Sequence, residues 1–229
     1  MALYYSLYKD TFTVTMREIK TVLIGASLYF TGCNIADQEL HFKPPVQINP
    51  ATYQTLMIRF KLNHLGPAPS YWGGLMPSYP IADAFSSHEE CIESSWPNKG
   101  MMSGCSKILV KKDTLYSLIN TREELQQTYA PITSKSEALS YASIYFEYFP
   151  ITTSSFFEES FFYRREKIIS RADSLEKYFI VHLYDQKVFG CGPHPYYYSL
   201  IKVFADGSVQ ELQKNEAFRD PKKDDWCID

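Results

Sequence analysis

Residues Lys177 to Gln213 read KYFIVHLYDQKVFGCGPHPYYYSLIKVFADGSVQELQ. This stretch is rich in aromatic and β-branched residues, which favour strands, and turn residues divide it into short segments. Asp206-Gly207 is the strongest hairpin signal in the chain. Because alternate residues around Val181 are apolar, one face of the sheet is expected to be wholly apolar and the other mixed. The pattern predicts an antiparallel meander with strands at Glu166–Arg171, Lys177–Tyr184, Lys187–Phe189, Tyr197–Ala205 and Ser208–Gln213.

Two capping-box patterns precede the meander and predict two helix starts. Thr121-Arg-Glu-Glu124 and Ser134-Lys-Ser-Glu137 each place a hydroxyl three residues before a glutamate. In such a box the hydroxyl accepts from a helical amide and the carboxylate accepts from the backbone of the cap. The second helix carries an apolar stripe that is typical of a helix packed on a sheet. We therefore predict an α+β fold, with a curved antiparallel β-sheet and two helices packed on one face.

The rest of the folded part, which we place at residues 51–229 as a single domain, has weaker signals. Thr52–Leu62 alternates loosely between apolar and β-favouring residues and predicts a strand. Lys107–Lys111 predicts another strand. Residues 33–50 contain three prolines and no sustained periodicity, which predicts a tether ahead of the domain.

Residues 64–105 are rich in Pro, Gly and Ser, which predicts a long loop region. A loop of this length inside a compact domain is usually functional or held by a cross-link. Trp72, which precedes Gly73-Gly74, and Trp96 are therefore candidate ligand-binding residues. A tryptophan that caps the core beneath a loop explains the same pattern, so both interpretations stay open.

A second informative stretch, Met16 to Cys33, reads MREIKTVLIGASLYFTGC. Arg17 and Lys20 form a cationic head, and the uncharged apolar segment that follows is about half of the roughly 20 residues that a transmembrane helix needs. Small residues then precede a cysteine, as at the cleavage site of a secretory signal. The segment Phe30-Thr31-Gly32-Cys33 resembles the lipobox of bacterial lipoproteins.

This resemblance implies an anchor and a location. Cys33 would carry a diacylglyceryl group on its sulfur, cleavage would follow Gly32, and the new amino terminus would be acylated, for example with palmitate. Residues 1–32 would then be the signal peptide, with Met16 as the true start, and residues 33–50 a lipidated tether. The expected location is the bacterial cell envelope, with the membrane as a partner through the N-terminal lipid. A buried core segment that contains a cysteine is the alternative.

The cysteine count is consistent with export. Setting Cys33 aside, the chain's five cysteines leave an even set: Cys91, Cys105, Cys191 and Cys227. A protein in an oxidising compartment is expected to pair its cysteines, and four allow three pairings. Loop-closure entropy favours near neighbours, so we predict the disulfides Cys91–Cys105 and Cys191–Cys227, each stabilising the fold by roughly 3–4 kcal/mol.

Composition excludes one class of partner. The chain is 45% hydrophobic and 21% charged, with a net charge of −3, which is ordinary for a globular protein. Its lysines and arginines are scattered, whereas nucleic-acid binding needs a basic face that neutralises phosphates. We therefore expect no nucleic-acid partner.

One constellation could carry chemistry, the turn Gly190-Cys191-Gly192-Pro193-His194-Pro195. A reduced Cys191 with His194 as its base would form a thiol enzyme. The same pair could contribute to a metal site, but zinc needs three or four ligands and no second Cys-x-x-His or Cys-x-x-Cys is present. The turn glycines and a possible partner in Cys227 favour a disulfide instead. No metal and no cofactor is expected, because the chain lacks the usual nucleotide, dinucleotide and zinc-protease motifs.

These observations favour a binding or assembly module of the cell envelope, of the inhibitor or immunity type as a special case. Its expected partner is another envelope protein, a peptide or a glycan, bound at an exposed aromatic patch around Trp72 or Trp96. The alternative is a thiol-dependent envelope enzyme that uses Cys191 and His194 as catalytic residues.

Overall fold

The computed structural model describes residues 40–76, 78–87, 91–97, 103–151 and 169–228. All of them belong to one compact unit, Asp37–Asp229. The predicted signal peptide and Cys33 lie outside the described residues. Within these residues the fold is α+β, as predicted, and its helices are α1 (Pro50–Phe60), α2 (Arg122–Tyr129) and α3 (Lys135–Phe146).

The described strands form three antiparallel sheets. In chain order they are β1 (His64–Pro67), β2 (Pro80–Ser86), β3 (Trp96–Pro97), β4 (Cys105–Lys112), β5 (Leu115–Ile119), β6 (Arg171–Ser174), β7 (Tyr178–Gln186), β8 (Gly190–Cys191), β9 (Tyr196–Phe204), β10 (Val209–Phe218) and β11 (Cys227–Ile228). Sheet 1 has the order β1-β2-β4-β3, and β5 also pairs with β4. Sheet 2 has the order β10-β9-β7-β6, and sheet 3 consists of β8 and β11.

Helix α3 lies between sheets 1 and 2. Residues 137–144 of α3 are all buried, as expected for a helix that is covered on opposite sides. The capping box at Ser134 and Glu137 forms as predicted. The largest core cluster joins all of these layers, through Ile108 and Val110 of sheet 1, Leu125 of α2, Leu139 and Tyr141 of α3, and Val181, Leu183 and Ile201 of sheet 2.

The other face of sheet 1 is covered by α1. Leu56 of α1 packs with Ala82, Ala84 and Leu109 in a separate core cluster. Cross-strand neighbours share a face of a sheet, and successive residues of a strand point to opposite faces. The residues that alternate with Ala82, Ala84 and Leu109 along β2 and β4 therefore face α3.

Helix α1 corrects the strand predicted at Thr52–Leu62. Asn49 caps the helix, since its Oδ1 accepts a hydrogen bond from the Ala51 amide at 2.9 Å, and Pro50 occupies the first helical position. Both residues are typical of helix starts. The prediction was wrong because the apolar residues of this segment recur with a helical period, at Tyr53, Leu56, Met57 and Phe60.

The predicted loop region 64–105 also differs from the structure. It contains β1, β2 and β3, three strands of sheet 1 that the sequence did not indicate, whereas the strand predicted at Lys107–Lys111 is confirmed as β4. The C-terminal meander is confirmed in β7, β9 and β10, and its hairpin turns at Asp206-Gly207, where Gly207 has a φ of 79°. The strand predicted at Lys187–Phe189 was wrong, because these residues lead into β8. Half of the strand predicted at Glu166–Arg171, residues 166–168, lies outside the described residues; residues 169–170 are not in a strand, and β6 begins at Arg171.

Both predicted disulfides are present. Cys91 bonds to Cys105 at the start of β4, and Cys191 bonds to Cys227 across sheet 3. Disulfide-bonded cysteines persist in an oxidising compartment, either the extracellular space or the periplasm. In the part of the chain that the structure describes, no helix is both long and apolar enough to cross a membrane.

Candidate functional site

A cleft opens where the α3-facing side of sheet 1 meets the C-terminal end of α3. Its volume is about 190 Å³. Besides sheet 1 and α3, a 3-10 turn at Ser70–Trp72 forms part of its wall. Both tryptophans singled out from the sequence, Trp72 and Trp96, line this cleft. The structure therefore brings together two residues that are 24 positions apart in the chain.

Gly74 lets the 3-10 turn approach α3 closely, whereas Gly73 packs against the backbone of Lys43. A Cβ atom on Gly74 would lie 2.1 Å from the carbonyl oxygen of Ser136, so only glycine allows this approach. The Gly74 amide donates to Ser140 Oγ at 3.0 Å, and this hydroxyl donates to the Tyr71 carbonyl at 2.6 Å. The glycines next to Trp72 thus have a packing role that fixes Tyr71 and Trp72 at the cleft.

Asp83 places a carboxylate in the cleft. It lies in β2 directly opposite Ile108 of β4, which belongs to the core cluster around α3, so Asp83 also faces α3. Burial raises the pKa of the Asp83 carboxyl above its usual value of 3.8, while His64 and the backbone amide of Ala84 partly oppose the shift. Partial burial of the Asp83 side chain thus disfavours its ionised form.

Tyr71 is the second polar group of the cleft. Burial, and then the charge of Asp83, raises the pKa of Tyr71 to about 12. The phenol therefore keeps its proton at physiological pH and can donate or accept one hydrogen bond. Tyr71 and Asp83 both line the cleft.

Glu147 lies at the rim, where α3 ends. Its backbone is left-handed, with φ 54° and ψ 39°, and its amide donates to the Ile144 carbonyl at 3.2 Å. Glycine or asparagine is the usual residue in this conformation. A carboxylate at a helix C-terminus also faces the negative end of the helix dipole. Glu147 is thus unfavourable for the helix in two respects.

The two tryptophans have different roles. Trp96 is only 2% exposed; its Nε1 donates to the Tyr145 carbonyl at 3.2 Å, and the Arg122 guanidinium lies 5.7 Å from its ring. It therefore belongs to the core and does not form the exposed aromatic patch expected of it. Trp72 is half-buried and packs against the same core. It is the aromatic residue of the pair that remains accessible at the cleft.

Cys191 and His194 are not among the residues that line the cleft. The Cys191 sulfur is bonded to Cys227, so it is no nucleophile in this structure. The His194 ring lies between two backbone carbonyls, with Nδ1 2.9 Å from the Lys187 oxygen and Nε2 3.1 Å from the Trp226 oxygen. Both residues therefore hold sheet 3 together, and the arrangement that a thiol enzyme requires is not formed.

A further polar cluster lies on sheet 2. His182 Nδ1 is 2.5 Å from the Tyr198 hydroxyl, and His182 Nε2 is 3.1 Å from Asp173 Oδ2. Burial and the nearby Arg171 lower the pKa of His182 below its usual 6.5, while Asp173 opposes the shift. The neutral imidazole then accepts from Tyr198 and donates to Asp173. Across the described ranges, no group of three or more His, Cys, Asp or Glu is arranged to hold a metal ion.

The chain matches no protein-family model, no curated protein and no solved structure. Its function is therefore argued from the cleft itself. Sequence reasoning singled out Trp72 and Trp96 but missed Tyr71, Asp83 and Glu147. A usable signal was present in β2, Pro-Ile-Ala-Asp-Ala-Phe-Ser, where a lone acidic residue interrupts an apolar strand.

Proposed function

We propose that the protein is a lipid-anchored binding module of the bacterial cell envelope and that the cleft around Trp72 and Asp83 is its binding site. The observation that carries the proposal is the cleft's composition. A half-buried carboxylate with a raised pKa, a protonated phenol and an accessible tryptophan line one concave site. Perturbed ionisable groups and an aromatic wall in a concavity are typical of binding sites.

The size of the cleft favours one anchoring group of a larger partner. At about 190 Å³ it is smaller than the roughly 300–1,000 Å³ of pockets that enclose a drug-sized molecule. In protein–protein interfaces, a few side chains inserted into such pockets supply most of the binding energy. A protein or peptide that inserts one side chain therefore fits this site better than a free ligand of drug size.

The lipid anchor is supported by the resemblance at Met16–Cys33 and by the two disulfides, which belong to an oxidising compartment. The test is the intact mass of the full chain expressed in a bacterial host and extracted in detergent. We expect residues 33–229 with added acyl chains, and an uncleaved chain without lipid from the Cys33→Ala variant. A wild-type protein without acyl chains would contradict the anchor.

The binding role is tested by partner capture from envelope extracts, with the full lipidated chain as bait. We expect Trp72→Ala and Asp83→Asn each to lose a partner that the wild-type protein retains. Trp226→Ala is the matched control, because Trp226 is 50% exposed and lies in the C-terminal segment, outside the cleft. Circular dichroism checks that each variant is folded. A partner retained equally by all four proteins would contradict a role for the cleft.

A further inference from the structure

The outer side of α1 is exposed and carries an apolar side chain. Leu56 buries the inner side of the helix against sheet 1. On the outer side, Ile58 is 78% exposed, the largest value among the exposed large apolar side chains of the described residues. Arg59 and Lys61, at the C-terminal end of the helix, are exposed as well. Exposed basic residues next to an apolar one are typical of a helix that lies on a membrane surface.

The sequence around α1 is basic. Between Glu39 and Asp83 the chain has two lysines and one arginine but no acidic residue, although the net charge of the whole chain is −3. Within the described residues, Arg59 and Lys61 form no ion pair. Their charges are therefore available to an anionic partner.

Sheet 1 adds a third positive charge on the same side. Lys111 of β4 is exposed, and its cross-strand partner Tyr116 packs against the core cluster beneath α1. Asp113, in the turn that follows, is the one acidic residue within five positions of any of these three cations. We define the α1 face by its exposed apolar residue and its three cations: Ile58, Arg59, Lys61 and Lys111. This face has a net positive charge.

The chain enters the domain beside this side of sheet 1. Leu40 already packs against the main core. The Lys43 carbonyl accepts a hydrogen bond from the Tyr79 hydroxyl at 3.2 Å, and Tyr79 packs against the cluster beneath α1. Cys33 precedes Leu40 by seven positions, which span at most about 25 Å when fully extended. A domain of this size is about 40 Å across. An acyl chain on Cys33 would therefore hold the side near the entry point close to the bilayer.

A bilayer at the α1 face would leave the cleft accessible. The cleft opens on the α3 side of sheet 1, opposite to α1, and lies at the C-terminal end of α3. The chain enters at the other end of that helix, where the His41 amide donates to Ser136 Oγ at 2.9 Å. The cleft would thus face away from the lipid, where another protein can reach it.

We propose that the α1 face lies on the surface of the anchoring bilayer. Its three cations pair with anionic phospholipid headgroups, and Ile58 enters the boundary with the acyl chains. The proposal rests on the proposed lipid anchor, which brings the face to the membrane, and it adds the orientation of the domain. Each lysine or arginine near an anionic bilayer contributes a favourable attraction that salt screens. An acidic protein has the same charge complementarity, but the short lead from Cys33 favours the bilayer.

The test uses the full lipidated chain in vesicles of phosphatidylcholine, with or without phosphatidylglycerol. Ile58→Cys supplies one free thiol for the environment-sensitive fluorophore NBD, since Cys33 is acylated and the other four cysteines are paired. Leu115→Cys is the matched control, because Leu115 is 69% exposed and lies on the same side of β5 as Ile119, which belongs to the core around α3. Intact mass confirms the acyl chains in each preparation.

We expect the label at position 58, but not the label at position 115, to gain fluorescence and to be quenched by nitroxide-bearing lipids in vesicles with phosphatidylglycerol. The response should fall at least about twofold in phosphatidylcholine alone or in about 1 M salt. Arg59→Gln/Lys61→Asn should weaken it similarly, and asparagine tolerates the left-handed backbone at Lys61.

The charge control is Lys112→Gln/Lys177→Gln. Both lysines are exposed outside the α1 face, since Lys112 pairs with Leu115 on the α3 side of sheet 1 and Lys177 lies in the β6–β7 turn. This variant loses the same charge as Arg59→Gln/Lys61→Asn. It should keep the response of the label at position 58.

Four outcomes would overturn the proposal. Equal quenching at the two positions, or none at either position of a lipidated chain, would reject the orientation while the anchor remains. A response that is the same without phosphatidylglycerol would reject the pairing with anionic headgroups. A label at position 58 that responds to detergent-solubilised envelope proteins but not to vesicles would assign the face to a protein partner. A chain whose mass lacks acyl groups would reject the anchor, and this proposal with it.

Discussion

Lys61 and Glu147 end their helices in nearly the same left-handed conformation, with φ 52° and ψ 47° for Lys61 and φ 54° and ψ 39° for Glu147. Their charges differ in sign. Lys61 complements the negative end of the α1 dipole, whereas Glu147 opposes that of α3. The two positions therefore have the same backbone strain, but their side-chain charges interact with the helix dipole with opposite sign.

Replacing Glu147 with glycine should stabilise the fold. Glycine adopts the left-handed conformation without steric cost, and the change also removes a negative charge from the helix end. Relief of the backbone strain and of the charge at the helix end should raise the free energy of unfolding by about 1 kcal/mol, or roughly 2–4 °C in Tm for a domain of this size. Loss of the interaction that Glu147 makes opposes this gain. Thermal and urea unfolding measure it.

Lys61→Gly is the control for this effect. It relieves the same backbone strain but removes a favourable charge, so its gain in stability should be smaller. A loss of stability in Glu147→Gly, with a gain in Lys61→Gly, would show that the Glu147 side chain stabilises the fold.

Asp83→Asn should make the protein more stable at neutral pH. Because the pKa of Asp83 is raised above 3.8 in the folded state, that state binds the proton more tightly than the unfolded state does. The stability of the wild-type protein therefore decreases as pH rises from the usual pKa through the raised one. Asparagine has no such dependence, so the stability difference between variant and wild type should grow over that window and then level off.

Urea unfolding at several pH values from about 4 to about 7 measures this difference. Asp113→Asn controls for the loss of one charge at an exposed position. If the difference between Asp83→Asn and the wild type stays constant over the whole range, burial does not raise the pKa of Asp83 in the folded protein.

Local sequence signals predicted the parts of the fold that local chemistry decides. The Ser134–Glu137 capping box starts α3 as expected. At Thr121 the hydroxyl caps α2 as expected, but the Glu124 carboxylate accepts from the Asn120 amide at 2.6 Å, one residue before the cap. Turn chemistry likewise placed the β9–β10 hairpin at Gly207.

Sheet 1 and the cleft depend on contacts that a local pattern does not contain. Strand β2 lies between β1 and β4, and its partners in β4 are 19 to 30 positions further along the chain. Asp83 lines the cleft because its partner in β4, Ile108, faces α3, and cross-strand partners share a face of the sheet. The tryptophans were identifiable by residue type and loop context, whereas the charge of the cleft required the tertiary fold.

Tyr198→Phe should destabilise the protein. The hydroxyl of Tyr198 lies 2.5 Å from Nδ1 of His182, a buried residue whose other ring nitrogen faces Asp173. Without the phenol, a buried acceptor is left without its donor, which costs about 1–3 kcal/mol. Urea unfolding at neutral pH, where the lowered pKa keeps His182 uncharged, measures the loss.

Tyr197→Phe is the matched control, because it removes the same atom from the neighbouring residue of β9, whose side chain points to the other face of sheet 2. We expect its effect to stay within about 0.5 kcal/mol. Equal effects of the two variants would mean that the contact with His182 contributes nothing measurable.

The two disulfides should be reduced in a fixed order, Cys191–Cys227 before Cys91–Cys105. Cys191 and Cys227 are both exposed, whereas Cys105 is only 4% exposed and lies at the start of a strand that pairs on both sides. Since thiol–disulfide exchange requires direct attack on a sulfur atom, access decides which bond reacts first. Sheet 3 contains only β8 and β11, so its loss should leave the core around α3 intact.

Stepwise reduction with dithiothreitol, alkylation and peptide mass spectrometry determine the order, and near-ultraviolet circular dichroism reports on the core. In a Cys191→Ser/Cys227→Ser double variant, the remaining bridge should resist the reductant concentration that opens the first bond in the wild-type protein. Modification of Cys91 and Cys105 first would contradict the exposure argument. Loss of the near-ultraviolet signal on opening Cys191–Cys227 alone would show instead that sheet 3 and the core unfold as one cooperative unit.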